Sequence, residues 1–500
     1  MKRRDFLQRA AALSALPTLP FSVSVADAAP SADETGYRAL VCVFLFGGND
    51  SHNMIVPYQG AEYTAYSALR GGPASNNGLA LPQNALAVSS QTLGSTGLAL
   101  HPAMTRLGDV YRAGKLAVIA NCAPLVRDTA LAQYQQPGHA LPPQLFSHSD
   151  MQMHWQTMHP DAPADTGWGG RMADVFRLAS SGRLPVSIGF GSGGIFVKGD
   201  VSTPYNVMPM RYRNGVIDTT QSIARSPNAA VSWNWTGSLP QDVFVQNYMA
   251  TRANLHEQQF ANVVRDSLEM GDFVRTAMYD IGSNPTSYAL KTPPPGTWPA
   301  TNPLAAQLHS VAAMIAARSA LGTSRQVFFV SLGGFDNHGD QFGNDAGGKT
   351  LLSGRHFTLL AQLDEALRTF YDATVAMSVA DRVTTMTMSD FGRTIRSNGQ
   401  GSDHGWGGHH LVLGGSVKGG RIFGAQSAGA ADTGYFPMPS QIGAVDVGQG
   451  RLLPTLAADT YTASVARWFG ATGSATTGEI AQIFPNLKNF NVPFLDLLQV

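Results

Sequence analysis

RALVCVFLFGGND, residues 38–50, is an unbroken apolar run that stops at a Gly-Gly pair followed by Asn49 and Asp50. A strand with one wet face alternates polar and apolar residues. A run apolar at every position belongs to a strand covered on both faces, as in a parallel sheet flanked by helices. The same grammar recurs twice. RQVFFVSLGGFDNHGDQ (325–341) and DRVTTMTMSDFGRT (381–394) each pass from a strand-like run into glycines and acidic residues.

The intervening segments alternate with these strands. HPAMTRLGDVYRAGKLAVIANCAP (101–124) reads as helix, turn and strand, and LPVSIGFG (184–191) as a further strand. Helical spacing marks 242–282, 304–322 and 356–374, with a proline-rich connector over 283–303. The expected fold is therefore α/β: a doubly wound, mostly parallel sheet with helices on both faces and loop insertions. Residues 37–500 form one domain, and 195–240, without a clear period, read as an insertion or substrate-side lobe. No internal repeat is visible.

Of the 500 residues, 44% are hydrophobic and 14% charged, which permits a large core. Lys plus Arg equals Asp plus Glu at 34 each, and no basic stripe favours nucleic acid. Residues 1–28 have a basic start, a moderately apolar middle and small residues at the end, the form of an export signal. Arg3-Arg4 gives it the twin-arginine form, so the twin-arginine translocase is an expected partner and the destination periplasmic or secreted. The apolar run is shorter than a bilayer span, and no later run is long enough to span. Cys42 and Cys122 lie in apolar runs and read as buried thiols, with a disulfide as the alternative; C-x-x-C spacing is absent.

The ionisable residues gather at strand ends. Asp50, Asp336 and Asp390 each follow an apolar strand, where ligands bind in open parallel sheets. Three aspartates brought together repel one another unless a divalent cation joins them. His338 and His404 add nitrogen donors, and mixed Asp and His sets suit zinc, manganese or iron. Read singly, each Asp is an ordinary cap or turn residue; the recurrence carries the metal reading. The stretch TMTMSDFGRTIRSNGQGSDHGWGGHHLVLGG (385–415) would bring Asp390 and His404, its glycines letting the backbone turn. Arg393 is suited to pair with a phosphate or sulfate, or else to make a structural salt bridge. His409 and His410 read as packing at a strand start.

The order of LFGGND, GGFDNHGDQ, LDEAL, SDFGRT and GSDHGWGGHHLVLGG resembles the exported bacterial "domain of unknown function 1501" family over nearly the whole mature chain. That family in turn is similar, more distantly, to the alkaline phosphatase, sulfatase and phosphopentomutase superfamily. The resemblance implies an alkaline-phosphatase-like domain and a metal-dependent hydrolase of phosphate or sulfate esters. Its substrate would be a small-molecule or glycan ester. It implies metal ligation by Asp50, Asp336, His338, Asp390 and His404, with one or two ions, zinc or manganese first and calcium as a further candidate. Phe391 stands where the superfamily commonly has histidine, which leaves the Asp50 and Asp390 site short of a ligand; Asp403 and Asn49 are candidates to complete it. In LFSHSDMQMHWQT (145–157), Ser147, Ser149 and Asp150 are candidates for the nucleophile position, and Ser147 or Asp150 equally for a helix cap. A non-catalytic relative binding an anionic glycan or envelope partner is the alternative. A metal-free triad of Ser147, His148 and Asp150 is set aside, because sequence neighbours cannot form its geometry and no G-x-S-x-G elbow is present.

Overall fold

The computed structural model describes residues 36–177, 183–191, 194–207, 212–213, 216–217, 254–280 and 289–499. The leader segment and most of 195–240 lie outside them. The central sheet uses β1 (Arg38–Phe46), β2 (Leu116–Ala123), β3 (Ser187–Phe190), β4 (Tyr205–Val207), β5 (Arg325–Gly333), β6 (Val383–Ser389), β7 (Gly408–Gly414), β8 (Ile422–Phe423) and β9 (Leu456–Ala457). Its order is β8-β2-β7-β6-β1-β5-β3-β4, with β9 also paired to β2. All pairings are parallel except those of β7, which runs antiparallel to both β6 and β2. The start of the expected insertion, Tyr205–Val207, is thus an edge strand of the main sheet.

β1 shows why the run is apolar throughout. Successive side chains point to opposite faces. Ala39, Val41, Val43 and Leu45 enter one core; Leu40, Cys42 and Phe44 enter the other. The first core is closed by α2 (Pro303–Ala316) and α3 (Arg355–Ala376), through Leu308, Val311, Leu363 and Leu367. The second is closed by α1 (His148–Thr157) and α4 (Ala458–Phe469), through Met151, Trp155, Tyr461 and Val465. Asn302 caps α2, its side chain accepting from the amides of Leu304 and Ala305. Cys42 and Cys122 are buried free thiols on strands separated by β6 and β7. Among the described residues, no helix is long and apolar enough to cross a membrane.

Three central strands end level. Leu45 pairs with Leu332 of β5 and with Ser389 of β6. The chain therefore leaves all three at one edge, and the segments after them carry Asp50, Asp336 and Asp390. Gly47 (φ 112°) and Gly48 (φ 82°) allow the closest approach there. A Cβ at Gly47 would lie 2.3 Å from the Asp336 amide nitrogen, and one at Gly48 would lie 2.4 Å from the Phe391 ring.

Candidate metal centre

Three histidines turn toward one carboxylate at this edge. His338 follows β5 and lies 3.1 Å from Asp336 Oδ1 through Nε2. His404 Nε2 is 3.6 Å from the same oxygen, and His148 Nε2 is 3.4 Å from it. The Nε2 atoms of His338 and His404 are 2.8 Å apart. Ligand atoms of His148, Asp336 and His404 all fall within 4.8 Å of one another.

Each ring is held from behind. His148 Nδ1 donates to Asp390 Oδ2 at 2.7 Å, His338 Nδ1 to Asp403 Oδ1 at 3.0 Å, and His404 Nδ1 to the Phe146 carbonyl at 2.6 Å. Those partners can only accept, so each Nδ1 carries the proton. In the neutral rings every Nε2 then presents a lone pair. Lone pairs of two imidazoles 2.8 Å apart, facing an ionised carboxylate, repel unless a proton or cation joins them. His148 Nε2 is buried without a hydrogen-bond partner among the described residues. Histidines whose second nitrogen is fixed by a carboxylate or carbonyl are the usual form of metal ligands. The residues present therefore fit a divalent cation.

Burial alone would raise the Asp336 carboxyl; the Arg393 hydrogen bond and charge more than offset it and hold it below the usual range. The hydrogen bond to Asp390 raises His148, whereas burial lowers His404.

The expected ligands separate into two groups. Asp336, His338 and His404 converge. Asp390 does not face that centre: Oδ1 accepts from the Gly47 amide, and Oδ2 from His148 and Gln152 Nε2 (2.7 Å). Asp50 is tied to Arg70 in a fully buried ion pair and accepts from Gln341 at 3.2 Å. Burial raises the Asp50 carboxyl, but Arg70, His356 and His52 outweigh that and leave it lowered. Asp403 braces His338, and Asn49 accepts from His356. Phe391 fills the space between, with ring centroids 4.9 Å from His148 and 4.6 Å from His404.

Arg393, expected to face an anionic substrate, is wholly buried. Its guanidinium donates to the carbonyls of Gly47, Gly48, Phe335 and Ser402 and to Asp336 (2.5 Å). It is the pin that binds the three strand-end segments. Ser147 occupies the N-cap position of α1; its hydroxyl donates to Asp150 Oδ2 at 2.6 Å, as Ser149 does at 3.2 Å. His409 accepts from the Asn121 amide, and His410 packs against Trp155, both buried in the core.

Sequence reasoning passed over His148 as a ligand, although it sits between the two serines it singled out. It also missed Phe146. That residue holds φ 72°, a left-handed conformation rare for a bulky side chain, and its carbonyl fixes His404. Arg451 completes the support, donating to the His404 carbonyl and stacking on Phe146. The glycine-rich loop is also more ordered than its composition suggests, folding as a hairpin of Arg393–Ser397 with Ser402–His404.

The model of a family described as "Protein of unknown function (DUF1501)" matches residues 37–437. No curated protein matches the chain in sequence. Among solved structures, one titled Ps i-CgsB in complex with k-i-k-neocarrahexaose is similar at 9% identity and TM-score 0.32, over 91% of this chain and 77% of that one. Alkaline phosphatase from the Antarctic bacterium TAB5 is similar at 11% identity and TM-score 0.21, over 75% of this chain and 90% of that one.

Proposed function

The chain belongs to the DUF1501 family, and from that premise we propose that it is an exported, metal-dependent hydrolase of phosphate or sulfate esters. One observation carries the reading: three imidazole Nε2 atoms, each oriented by a hydrogen bond at Nδ1, converge on Asp336. His148, Asp336, His338 and His404 would hold one cation. A set of three nitrogens and a carboxylate suits zinc, or manganese, better than calcium, which takes six to eight oxygens. A bound cation of this kind would polarise an ester oxygen and lower the pKa of a hydroxyl or water beside it. Asp390, Asp403 and the Phe146 carbonyl keep the rings aimed. Ser147 and Ser149, flanking His148, are the hydroxyls nearest to it in the chain and the candidates for the attacking group. Asp150, hydrogen-bonded to both, is placed to accept a proton from either.

A second reading is a metal-bearing binding protein without turnover. It is favoured by the burial of Arg393, whose guanidinium is taken up by backbone carbonyls and Asp336. Metal counted per chain, together with turnover of p-nitrophenyl phosphate and p-nitrophenyl sulfate, separates the two. Metal with turnover lost in His404→Ala supports the hydrolase; metal without turnover supports the binding protein; a chain without metal sinks both.

A further inference from the structure

Arg393 is engaged by the backbone, so the anion-recognition group of this site has to be sought elsewhere. A pocket of about 400 Å³ opens at the carboxyl end of β5 and runs between the starts of α2 and α3. Pro303, Leu332 and Leu359 give it apolar walls; Ser331, Gln362 and Arg355 give it polar ones. Arg355 anchors its Nε on the Gly334 carbonyl at 3.1 Å, with Asp340 3.6 Å away. Neither of its Nη groups has a hydrogen-bond partner among the described residues, and no carboxylate lines the pocket. The side chain is thus held at its root while its two terminal donors stay open, the geometry in which guanidinium binds a planar or tetrahedral oxyanion.

Gly333, on the pocket wall, is three residues from Asp336, so wall and metal centre are within roughly 10 Å along the chain. We propose that this pocket receives a second anionic group of the substrate, bound by Arg355 while the scissile ester lies at the His148, Asp336, His338 and His404 centre. The substrate class is then an ester whose body, about the size of a sugar, bears another sulfate, phosphate or carboxylate. Ser331 and Gln362 contact that group or its neighbouring hydroxyls, and Leu332 and Leu359 contact the carbon frame. The inference rests on the ester-hydrolase reading for the role of the centre, but not for the chemistry of the pocket.

The test uses the full metal-bearing chain. Equilibrium binding is measured by calorimetry for probes with one ester group (p-nitrophenyl phosphate, p-nitrophenyl sulfate) and with two (fructose 1,6-bisphosphate, a disulfated disaccharide). Wild type is compared with Arg355→Gln, a change at an exposed helix-start residue. A charged hydrogen bond of the usual strength predicts that Arg355→Gln weakens the matching two-ester probe about tenfold to a hundredfold. One-ester binding and metal content should stay unchanged. Unaltered two-ester binding in Arg355→Gln, or no preference for two-ester probes in wild type, overturns the proposal. A chain that holds no metal but still loses two-ester binding in Arg355→Gln upholds the pocket and removes the hydrolase reading.

Discussion

Asp390→Asn isolates the bracing of His148. In the native chain the carboxylate accepts from three donors: the Gly47 amide, His148 Nδ1 and Gln152 Nε2. Asparagine offers one acceptor oxygen and one NH₂. With the oxygen turned to His148 and Gln152, the NH₂ opposes the Gly47 N–H. With the amide flipped, the NH₂ opposes His148 Nδ1–H. That drives the imidazole proton to Nε2 and cancels the lone pair aimed at Asp336. The first arrangement strains the exit of β1 and keeps the brace; the second takes the lone pair from one of the four proposed ligands while leaving all four residues present. Loss of such a brace weakens metal binding about 10- to 100-fold, or about 1.4–2.7 kcal/mol. Competition against a chromophoric chelator measures this directly, with Gln152→Ala as the control that removes one donor and leaves the His148 bond. Asp390→Asn should fall in that range, and Gln152→Ala should stay within about threefold of wild type. Wild-type affinity in Asp390→Asn and also in Asp390→Ala, which removes the acceptor altogether, would show that His148 is not a ligand, and the centre would have to be redrawn without it.

Further outcomes can be checked in parallel. His404→Ala should abolish stoichiometric metal while far-ultraviolet circular dichroism stays native, because the ring's neighbours are chiefly other site residues. Phe391→His should lower stability by about 1–3 kcal/mol without adding a second ion; Arg70 already balances Asp50, and elemental analysis together with melting temperature decides it. Asp459 is buried, and burial pushes its carboxyl up to about 7. Native protein therefore keeps this proton while the unfolded chain loses it near pH 4. Stability from this group is full below pH 4, falls as pH rises to about 7, and is constant above; Asp459→Asn should flatten that slope, worth about 4 kcal/mol at most. Replacing Arg3 and Arg4 together by Lys should trap precursor in the cytoplasm; normal levels of mature protein outside it would refute the export reading.

Much of the sheet was legible because burial on both faces leaves an unmistakable mark. β1 and β5 are apolar over most of their length, β6 is buried throughout on alternating threonines and methionines, and their acidic exits share one edge. The reversed direction of β7 was not legible, since a buried strand has the same composition either way up. The centre was read in part. Asp336, His338 and His404 follow strand ends or the glycine loop, where the pattern points. His148 comes from a helix start 242 positions before its brace Asp390, and no local pattern links them. Asp50 and Asp390 look like Asp336 in sequence. What distinguishes them is the company they keep, Arg70 for one and three protein donors for the other, and that is settled only by packing.

The reversal of β7 has a consequence for how this protein can change. β6 runs out to the edge and β7 starts back from it, so Phe391–Gly407 is an excursion that leaves and returns at one place. Its length is not tied to any crossover, and lengthening it twofold adds only about 0.6 kcal/mol of closure entropy. The tip, Asn398–Gln400, is largely exposed, with Asn398 donating to the His338 carbonyl and to Asp403. New residues inserted there would extend the rim of the centre while Arg393 keeps the base of the loop clamped to the strand ends. The tip can thus change in length while the sheet, Arg393 and His404 stay where they are.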